Sequence, residues 1–373
     1  MKILIVLENY LPHIGGVELV FKNLISGLVK QGHDITVLTQ RLPHTKKEEI
    51  INGAKIIRIR CFGSRYLFSF FAIPKAIKLA KEADIIHTTT FNGAPPAWVA
   101  SKIRKKPLLL TVHEVWINRW RELTDLSPLT AWLHDKLERL IYILKYDHYA
   151  CVSASSQSHL LERNIPKEKT SVVYNGLDYN LWNPRKYSKP KLREKFGWKT
   201  FTYLCSGRPG VSKGIEYAVK AAAKIAEHLP ESKFVLLLSK DSAYQTRYHM
   251  IKALIKELDL KDNMILIDPV PYDKLPEYIM AADCVVIPSI SEGFGFAAAE
   301  ASALGTPVVA SNTTSLPEVI SNKYLLVKKR SPHDIATAVI AVHDNNFKTS
   351  PLKKFTWEDN VEKYLNIYKK LIN

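Results

Sequence analysis

Residues 283–310 read DCVVIPSISEGFGFAAAEASALGTPVVA. The apolar run Asp283–Pro288 predicts a buried strand, and Phe296–Leu304 predicts a helix. A second apolar run, Pro307–Ala310, predicts another strand directly after that helix. A strand, a helix and a strand in this order indicate a βαβ unit, which is typical of a mostly parallel sheet.

The same alternation of apolar runs and helical periodicity continues along the chain. A first series extends from a strand at Ile3–Glu8 to a strand at Thr170–Tyr174, and a second series begins at Thr202–Cys205. Between them, Arg185–Lys199 holds seven basic residues, one acidic residue and one proline, which indicates a linker region and the start of a second domain. The sequence therefore predicts an α/β protein with two doubly wound halves.

We place the two domains at residues 1–180 and 181–355. Residues 356–373 form a separate part, because Glu358–Ile372 has the apolar periodicity of a long helix. We expect this helix to pack back toward the N-terminal domain. Open α/β sheets bind ligands at the carboxyl ends of their strands, so two facing sheets would form a cleft for two substrates.

Composition excludes several classes of protein. The 373 residues are 24% charged and 46% hydrophobic, which excludes disordered and collagen-like chains. Four cysteines, at positions 61, 151, 205 and 284, form no CxxC pair, which excludes a disulfide scaffold and a zinc cluster. The short apolar run Ile3–Leu7 does not fit a signal peptide, and we expect no membrane span.

The net charge is +17 and is spread over both halves of the chain. Such a field favours anionic partners, which are nucleotides, nucleic acid or acidic lipid surfaces. The total charge does not distinguish among these partners.

Two glycine-rich turns follow strands and open helices. The turn Asn9–Gly16 ends in a glycine pair, where the backbone can approach a ligand and the helix N-terminus offers N–H groups to an anion. The turn Gly207–Gly214 adds Arg208 and Lys213, which could meet a diphosphate. A strand-to-helix turn that needs glycine and a basic surface turn are the respective alternatives. Neither sequence matches GxGxxG or GxxxxGK[ST], which weighs against NAD binding and a P-loop.

Two carboxylates flank a third such turn. Glu292 and Glu300 stand eight positions apart at the start of the predicted helix. Capping would account for either carboxylate alone, because a helix N-terminus stabilises negative charge. Capping does not account for the Gly-Phe-Gly sequence of residues 293–295, so this turn is a candidate ligand site.

Together these segments resemble the retaining glycosyltransferases of family 4, which have the GT-B fold. The resemblance extends over nearly the whole chain, and its motifs occur in the family's order and spacing. They are Gly15-Gly16-Val17-Glu18, Thr111-Val112-His113-Glu114, Val173 to Asp178, Gly207-Arg208 with Lys213-Gly214, Glu292 to Glu300, Ala303 to Val309 and Phe355-Thr356-Trp357-Glu358. The E-x7-E spacing alone is weak, whereas the ordered set is specific.

The resemblance implies two Rossmann-like domains that face across a cleft, with residues 1–180 on the acceptor side and residues 181–355 binding the nucleotide sugar. It implies transfer of a hexose, with retention, from a UDP- or GDP-sugar to a sugar or a lipid-linked acceptor. The products would be cell-envelope glycans, glycolipids or glycoprotein glycans. No cofactor and no metal are expected, since the sequence has no DxD motif.

The resemblance also assigns roles to residues of the donor side. Arg208 and Lys213 would neutralise the diphosphate, and Glu300 would accept hydrogen bonds from the ribose hydroxyls. Glu292 would hold the donor sugar together with the backbone N–H groups of Gly293, Phe294, Gly295 and Phe296.

In the first half, the turn at Gly15 and Gly16 would approach the diphosphate, and His113 would lie near the reacting sugar. A purely structural histidine is the alternative for a strand-end position such as His113. The catalytic residues would be His113, Glu292, Arg208 and Lys213. The resemblance implies a front-face attack, in which the leaving phosphate helps to deprotonate the acceptor.

Two segments depart from the family pattern. Many members carry a Gly-Gly pair where this chain has residues 312–315, Asn-Thr-Thr-Ser. An Asn-Gly pair is replaced by Asn322-Lys323-Tyr324. Both segments border the donor side, so the preferred base and sugar stay open.

Basic and aromatic residues alternate in the acceptor half. Tyr66–Ile73 is rich in aromatic residues and is flanked by Arg58, Arg60, Arg65, Lys75, Lys78 and Lys81. Such a region suits peripheral attachment to an anionic membrane. The alternative is a buried helix start with a solvated basic face. Trp116, Arg119, Trp120 and Arg121 would line an acceptor groove or pack a loop.

The expected partners are therefore a nucleotide sugar, a glycan or lipid-linked acceptor and an anionic membrane surface, with no nucleic acid. The expected location is the cytoplasm, and attachment to the cytoplasmic face of the membrane is an open alternative. Two alternatives are a nucleotide-sugar-binding protein without transferase activity and a basic nucleic-acid-binding protein. The sequence shows no RRM, KH or helix-turn-helix signature, which weighs against the second alternative.

Overall fold

The computed structural model describes residues 1–13 and 15–373. These residues divide into two units by their contacts. The first unit comprises Met1–Asn118, Trp132–Gly176 and Phe355–Asn373, and the second comprises Arg119–Ala131 and Leu177–Lys354. The boundary after Asn118 therefore differs from a continuous first domain of residues 1–180.

Fifteen strands form two sheets. They are β1 (Lys2–Val6), β2 (Asp34–Gln40), β3 (Glu48–Ile51), β4 (Ala54–Ile59), β5 (Ile85–Thr89), β6 (Leu108–Val112), β7 (His148–Cys151), β8 (Thr170–Val172), β9 (Thr202–Gly207), β10 (Lys233–Leu238), β11 (Met264–Ile267), β12 (Cys284–Ile287), β13 (Val308–Ser311), β14 (Asn322–Val327) and β15 (Lys348–Ser350).

Fifteen α-helices accompany them in the described residues. They are α1 (Gly16–Lys30), α2 (Arg65–Phe71), α3 (Ile73–Ala80), α4 (Ala94–Arg104), α5 (Trp120–Leu123), α6 (Pro128–Ile143), α7 (Ala154–Leu161), α8 (Lys189–Phe196), α9 (Ile215–His228), α10 (Gln245–Glu257), α11 (Leu275–Ala281), α12 (Phe296–Leu304), α13 (Leu316–Val319), α14 (Pro332–His343) and α15 (Trp357–Ile372).

The sheet of the first unit has the strand order β3-β4-β2-β1-β5-β6-β7-β8. All its strand pairs are parallel except β3 with β4. Ile3 pairs with Ile35 on one side and with Ile85 on the other. Helices cover both faces of a parallel sheet, which explains why the central strands are continuous apolar runs. The predicted doubly wound parallel sheet is confirmed here.

The sheet of the second unit has the strand order β11-β10-β9-β12-β13-β14-β15. Only the edge strand β15 runs antiparallel to its neighbour. The order reverses between β9 and β12, and ligands of open α/β sheets bind at such a reversal, outside the carboxyl ends of the strands. The turns after β9 and β12 are two of the three glycine-rich turns that the sequence singled out, at residues 207–214 and 293–295.

The C-terminal helix α15 packs within the first unit. Tyr364, Tyr368 and Val361 are buried in the core that includes Phe21 and Ile85. At Gly27 of α1, a Cβ atom would lie only 2.5 Å from Val361 Cγ2, so a glycine is required there. This contact explains how the helices approach so closely.

A buried polar network joins α15 to the first sheet. The two ring nitrogens of His87 lie 2.7 Å from the Tyr368 hydroxyl and 2.7 Å from Thr111 Oγ1. Thr111 Oγ1 in turn lies 2.8 Å from the Tyr364 hydroxyl. Burial lowers the pKa of His87 to about 3, so this histidine is neutral and has a structural role.

Two segments of the second unit were not predicted as ordered elements. Within Arg119–Ala131, Glu122 forms ion pairs with Lys329 and Arg330, at 3.6 and 3.1 Å. The basic region predicted as a linker contains α8, whose Lys189 and Arg193 pair with Asp283 at 2.8 and 2.6 Å. Two basic residues of this region therefore neutralise the partly buried carboxylate of Asp283.

Candidate active site

Three loops meet at the carboxyl edge of the second sheet. Gly207 ends β9 and leads to Arg208, and β12 leads through residues 288–295 into α12. The third loop, residues 312–315, follows β13. Parallel strands place their carboxyl ends at one edge, which brings these loops together.

A close backbone approach positions Lys213. This residue ends the 3₁₀ turn Val211–Lys213, and Gly214 follows it with φ +60°. A Cβ atom on Gly214 would lie 2.3 Å from the carbonyl oxygen of Pro288, so only glycine fits. The Lys213–Gly214 pair therefore lets the loop after β9 touch the loop after β12.

Lys213 and Glu292 form an ion pair. Lys213 Nζ donates to Glu292 Oε1 at 2.6 Å, and Ser289 Oγ donates to the same oxygen at 2.7 Å. The Glu292 side chain is 12% exposed, against 34% for the Lys213 side chain. A mostly buried carboxylate is thus held in one orientation beside a cation that solvent still reaches.

The loop after β13 fixes the backbone around Glu292. The Glu292 N–H donates to Thr314 Oγ1 at 2.9 Å, and Ser315 Oγ donates to the Glu292 carbonyl at 2.9 Å. Thr313 Oγ1 donates to the Ile290 carbonyl at 3.0 Å. Thr314 has φ +43°, a left-handed conformation that is costly for a β-branched residue. The segment that departs from the family's Gly-Gly pair therefore supplies hydroxyls that hold Glu292.

Glu300 lies on the first turns of α12 and is 3% exposed. The Tyr272 hydroxyl donates to Glu300 Oε1 at 2.7 Å, and Trp182 Nε1 donates to the Tyr272 hydroxyl at 3.2 Å. Burial raises the pKa of Glu300 to about 7, although the Tyr272 hydrogen bond and the Lys213 charge oppose this rise. The carboxyl group is therefore close to half protonated at neutral pH.

The N-terminus of α12 points its free N–H groups at the same edge. Gly295 is the N-cap with φ +88°, and no side chain caps this end. A Cβ atom on Gly295 would lie 2.9 Å from Leu316 Cδ2, so glycine is required. The rings of Phe294 and Phe296 pack edge to face at 5.1 Å. Uncapped N–H groups at a helix N-terminus favour an anion.

The structure brings most predicted residues of the second unit together. Glu292 contacts Lys213 directly, and the charge of Lys213 also acts on Glu300. Arg208 follows the strand that leads to Lys213 and is exposed. Sequence reasoning missed Tyr272, Trp182, Ser289 and the hydroxyls of residues 313–315. The departure at residues 312–315 was the one available signal for the last group.

In the first unit, His113 follows β6 directly. Its ring packs edge to face on Phe21 at 6.4 Å, and its carbonyl accepts a hydrogen bond from Ser156 Oγ at 2.8 Å. Its Nε2 atom is out of contact with solvent and has no hydrogen-bond partner within residues 1–13 and 15–373. Burial lowers the pKa of His113 to about 4, so the ring is neutral and can hydrogen-bond a ligand hydroxyl.

The glycine turn after β1 lies at the same edge of the first sheet. Gly15 is the N-cap of α1 without a side-chain cap, and a Cβ atom on Gly16 would meet nothing within 4 Å. Open space at Gly16 means that internal packing does not explain this glycine. His13 Nδ1 lies 3.2 Å from Glu18 Oε1 in the first turn of the helix.

Four residues were predicted to line an acceptor groove or to pack a loop. Trp116 lies in the first unit, whereas Arg119, Trp120 and Arg121 lie in the second. Trp120 is buried on α5, and Arg119 pairs with Glu122 at 3.4 Å. These contacts show loop packing around Trp120 and Arg119.

Two family models match the chain, one in each half. Glycosyltransferase Family 4 matches residues 14–181, and Glycosyl transferases group 1 matches residues 188–356. The two matches leave out only short segments at residues 182–187 and at the ends.

Several proteins are similar to this chain over most of its length. An uncharacterized glycosyltransferase of Methanocaldococcus jannaschii is 28% identical, covering 99% of this chain and 98% of its own. The alpha-monoglucosyldiacylglycerol synthase of Streptococcus pneumoniae is 26% identical, covering 91% and 78%. The structure of Anabaena HepE in complex with UDP and glucose matches with a TM-score of 0.79 at 20% identity, covering 100% of both chains.

These matches cover both units, and the two mostly parallel sheets agree with the fold of the matched structures. The chain belongs to glycosyltransferase family 4: it is a glycosyltransferase with the two-domain GT-B fold.

Proposed function

We propose that this enzyme transfers a hexose, with retention of configuration, from a UDP- or GDP-sugar to a sugar or lipid-linked acceptor. The observation that carries the proposal is the Lys213–Glu292 pair at 2.6 Å beside the uncapped N-terminus of α12. A nucleotide sugar presents a diphosphate, a ribose and a sugar in a row, and this edge offers cations, a buried carboxyl group and a second carboxylate.

For the diphosphate, we propose Arg208 and Lys213 as the counter-charges. The leaving nucleoside diphosphate gains negative charge as the glycosidic bond breaks, and fixed cations and helix N–H groups stabilise that charge most in the transition state. Lys213 is already oriented by Glu292, so little reorganisation is required when the charge develops. We therefore propose that turnover needs no metal ion.

For the ribose and the sugar, we propose Glu300 and Glu292, respectively. Glu300 offers its second oxygen, since Tyr272 occupies only Oε1. Glu292 and the N–H groups of Gly293, Phe294, Gly295 and Phe296 would hold the sugar hydroxyls. The leaving phosphate would take up the acceptor's proton in a front-face attack, which preserves the anomeric configuration.

In the first unit, we propose that His113 donates or accepts a hydrogen bond at a sugar hydroxyl. Its orphaned Nε2 atom supports this role, because a buried polar atom without a partner costs free energy that a ligand can recover. We propose the turn at Gly15 and Gly16 as a diphosphate contact, supported by the uncapped start of α1.

We propose a lipid-linked acceptor, and a cytoplasmic enzyme that reaches it at the face of an anionic membrane through residues 60–81. The named product of the Streptococcus relative is a glycolipid, which supports this class of acceptor. The structure of HepE contains UDP and glucose, which supports a UDP-sugar as the donor. In the described residues, no helix is long and apolar enough to cross a membrane.

A hydrolysis screen with UDP-, GDP- and ADP-sugars in the absence of acceptor tests the proposal. We expect slow release of one nucleoside diphosphate, and loss of this release in Lys213→Met. Lys220→Met is the matched control, because Lys220 is an exposed lysine on α9. A thermal shift with a nucleotide sugar, but no turnover with any acceptor or water, would favour a binding protein without transferase activity.

A further inference from the structure

Helix α6 buries the carboxyl group of Glu138 beside Ile141 and Tyr142, while several of its large apolar side chains face solvent. Glu138 is 1% exposed, and its Oε1 accepts a hydrogen bond from the Trp116 N–H at 2.9 Å. Asp135 accepts hydrogen bonds from the Asn118 N–H and from Arg139 Nε. The carboxylates of the helix are thus occupied by the protein's own backbone and side chains.

The opposite face of α6 is an exposed apolar stripe. From Leu133 onward its members recur three or four positions apart, and Trp132 adjoins Leu133, which places all five on one side of the helix. They are Trp132, Leu133, Leu137, Leu140 and Ile143. The exposed fraction is 56% for Trp132 and 69% for Ile143. Five large apolar side chains on one solvent-facing stripe mark an interaction surface, because isolated exposed residues are normal and contiguous ones are not.

Helix α2 extends this stripe within the first unit. The Tyr66 hydroxyl lies 3.0 Å from His134 Nε2, which places α2 beside α6. Phe70 is 67% exposed, and Phe71 packs its exposed ring against that of Phe62 at 6.1 Å. We call the five residues of the α6 stripe together with Phe62, Tyr66, Phe70 and Phe71 the α2–α6 face.

Cations lie beside the aromatic rings of the α2–α6 face, and one of them, Arg65, also pairs with Glu8 at 3.8 Å. Lys136 Nζ lies 5.6 Å from the centre of the Trp132 ring, and the Arg65 guanidinium lies 5.2 Å from that of Tyr66. Residues 60–81 contain no aspartate or glutamate. Trp, Tyr and Phe among lysines and arginines are the side chains that an amphipathic surface needs at an anionic bilayer.

We propose that the α2–α6 face inserts into the interfacial region of an anionic lipid bilayer, with α6 lying in the membrane plane. The inference rests on the proposed function in one respect, which is that the enzyme would reach a lipid-linked acceptor at this bilayer. It assigns the apolar contact to α6, a helix outside the basic residues 60–81. A second copy of the chain is the less favourable occupant, because a twofold contact would bring Lys136 and Arg65 of both copies together.

The test is flotation of the full chain with vesicles of phosphatidylglycerol and phosphatidylcholine, and with phosphatidylcholine alone. The variant is the triple substitution Leu137→Gln, Leu140→Gln and Ile143→Gln. We expect wild-type protein to float with the mixed vesicles, and the triple variant to bind at least about tenfold more weakly. The matched control replaces three exposed apolar residues elsewhere by Gln, which are Ile50, Met250 and Leu266. It should bind like the wild type.

A second measurement locates the contact. Brominated lipids should quench the tryptophan fluorescence of the wild type, and Trp132→Phe should lose most of this quenching. Equal flotation of wild type and α6 triple variant would overturn the proposal. The proposal would also be overturned if the wild type did not bind vesicles and instead formed a concentration-dependent dimer in sedimentation that the triple variant does not form. Hydrolysis of the nucleotide sugar without acceptor should be unchanged in the triple variant, so a failure of the proposed activity is separately visible.

Discussion

Lys213 Nζ lies 2.6 Å from Glu292 Oε1, and its charge also opposes the burial that raises the pKa of Glu300 to about 7. One cation therefore serves both carboxylates of the E-x7-E motif. A diphosphate that reaches Lys213 would compete with Glu292 for its protons, and Glu292 would keep the hydrogen bond from Ser289. This exchange would free one Glu292 oxygen for a sugar hydroxyl as the diphosphate binds.

Activity should survive chelation of divalent metal ions. The reason is that, in the proposed function, Lys213, Arg208 and the N–H groups of α12 would stabilise the negative charge of the leaving diphosphate. Turnover of the donor found in the hydrolysis screen should be the same in excess EDTA as in added magnesium or manganese. A strict requirement for either metal would show that these groups are insufficient.

Nucleoside diphosphate binding should depend on the ionisation of Glu300. Its pKa of about 7 means that the carboxylate, which in the proposed function would accept hydrogen bonds from ribose, is lost as the pH falls below 7. Affinity should decrease by up to about tenfold from about pH 8 to about pH 6. Protonation of the diphosphate itself is common to all variants, so Glu300→Gln serves as the control. Identical pH profiles of the two proteins by calorimetry would contradict the assignment.

Stability should show the same titration with a defined sign. The native state holds a proton on Glu300 that the unfolded chain releases near pH 4.5, so the unfolding free energy falls as the pH rises from about 4.5 to about 7. Glu300→Gln lacks this penalty and keeps an acceptor for Tyr272. We expect the variant to equal the wild type in acid and to exceed it by up to about 3 kcal/mol above pH 7. Urea unfolding at several pH values measures the difference.

The alternation of apolar runs was sufficient to predict both sheets, because central strands that are buried on both faces are nearly continuous apolar runs. It did not predict β3, because residues 48–51 are Glu-Glu-Ile-Ile, a sequence without apolar alternation, on a partly exposed antiparallel edge. Ser153 stands directly before α7 and is its N-cap, because its side chain accepts a hydrogen bond from the Ser156 N–H. Local capping chemistry is readable because it involves neighbours in sequence.

Contacts between distant residues were not readable in the same way. Tyr272 and Trp182 reach Glu300 through tertiary structure, and no spacing in the sequence relates them. For α6, periodicity indicates an apolar face but does not say which face is buried. The buried side combines Glu138, at 1% exposed, with Ile141 and Tyr142.

The lysines that follow α2 should contribute to vesicle binding by charge alone. Lys78 and Lys81 are exposed, whereas Lys75 lies 3.8 Å from Glu48. Changing all three to glutamate should weaken binding to anionic vesicles, at about 1 kcal/mol for each basic residue near the surface. The deficit should shrink in high salt, unlike that of the α6 variant. Unchanged flotation of the lysine variant would remove residues 75–81 from the contact.

The two glutamates should separate in calorimetry with the free nucleoside diphosphate. Glu300 would contact the ribose before and during the reaction, so Glu300→Ala should weaken binding by about 1.5–3 kcal/mol and raise the donor KM. Glu292 would contact the transferred sugar, which is missing from the free diphosphate. Glu292→Ala should therefore lower kcat while leaving diphosphate binding nearly unchanged.

The Lys213 contact makes this comparison sharper. Removing the Glu292 carboxylate frees Lys213, which lies 2.6 Å from it, and a freed cation should bind the diphosphate slightly more tightly. The double variant Lys213→Met with Glu292→Ala should lose that gain. The free nucleoside diphosphate carries no transferred sugar, so the loss of a sugar contact cannot change its affinity. If Glu292→Ala weakens diphosphate binding as strongly as Glu300→Ala, the assignment of Glu292 to the sugar is wrong.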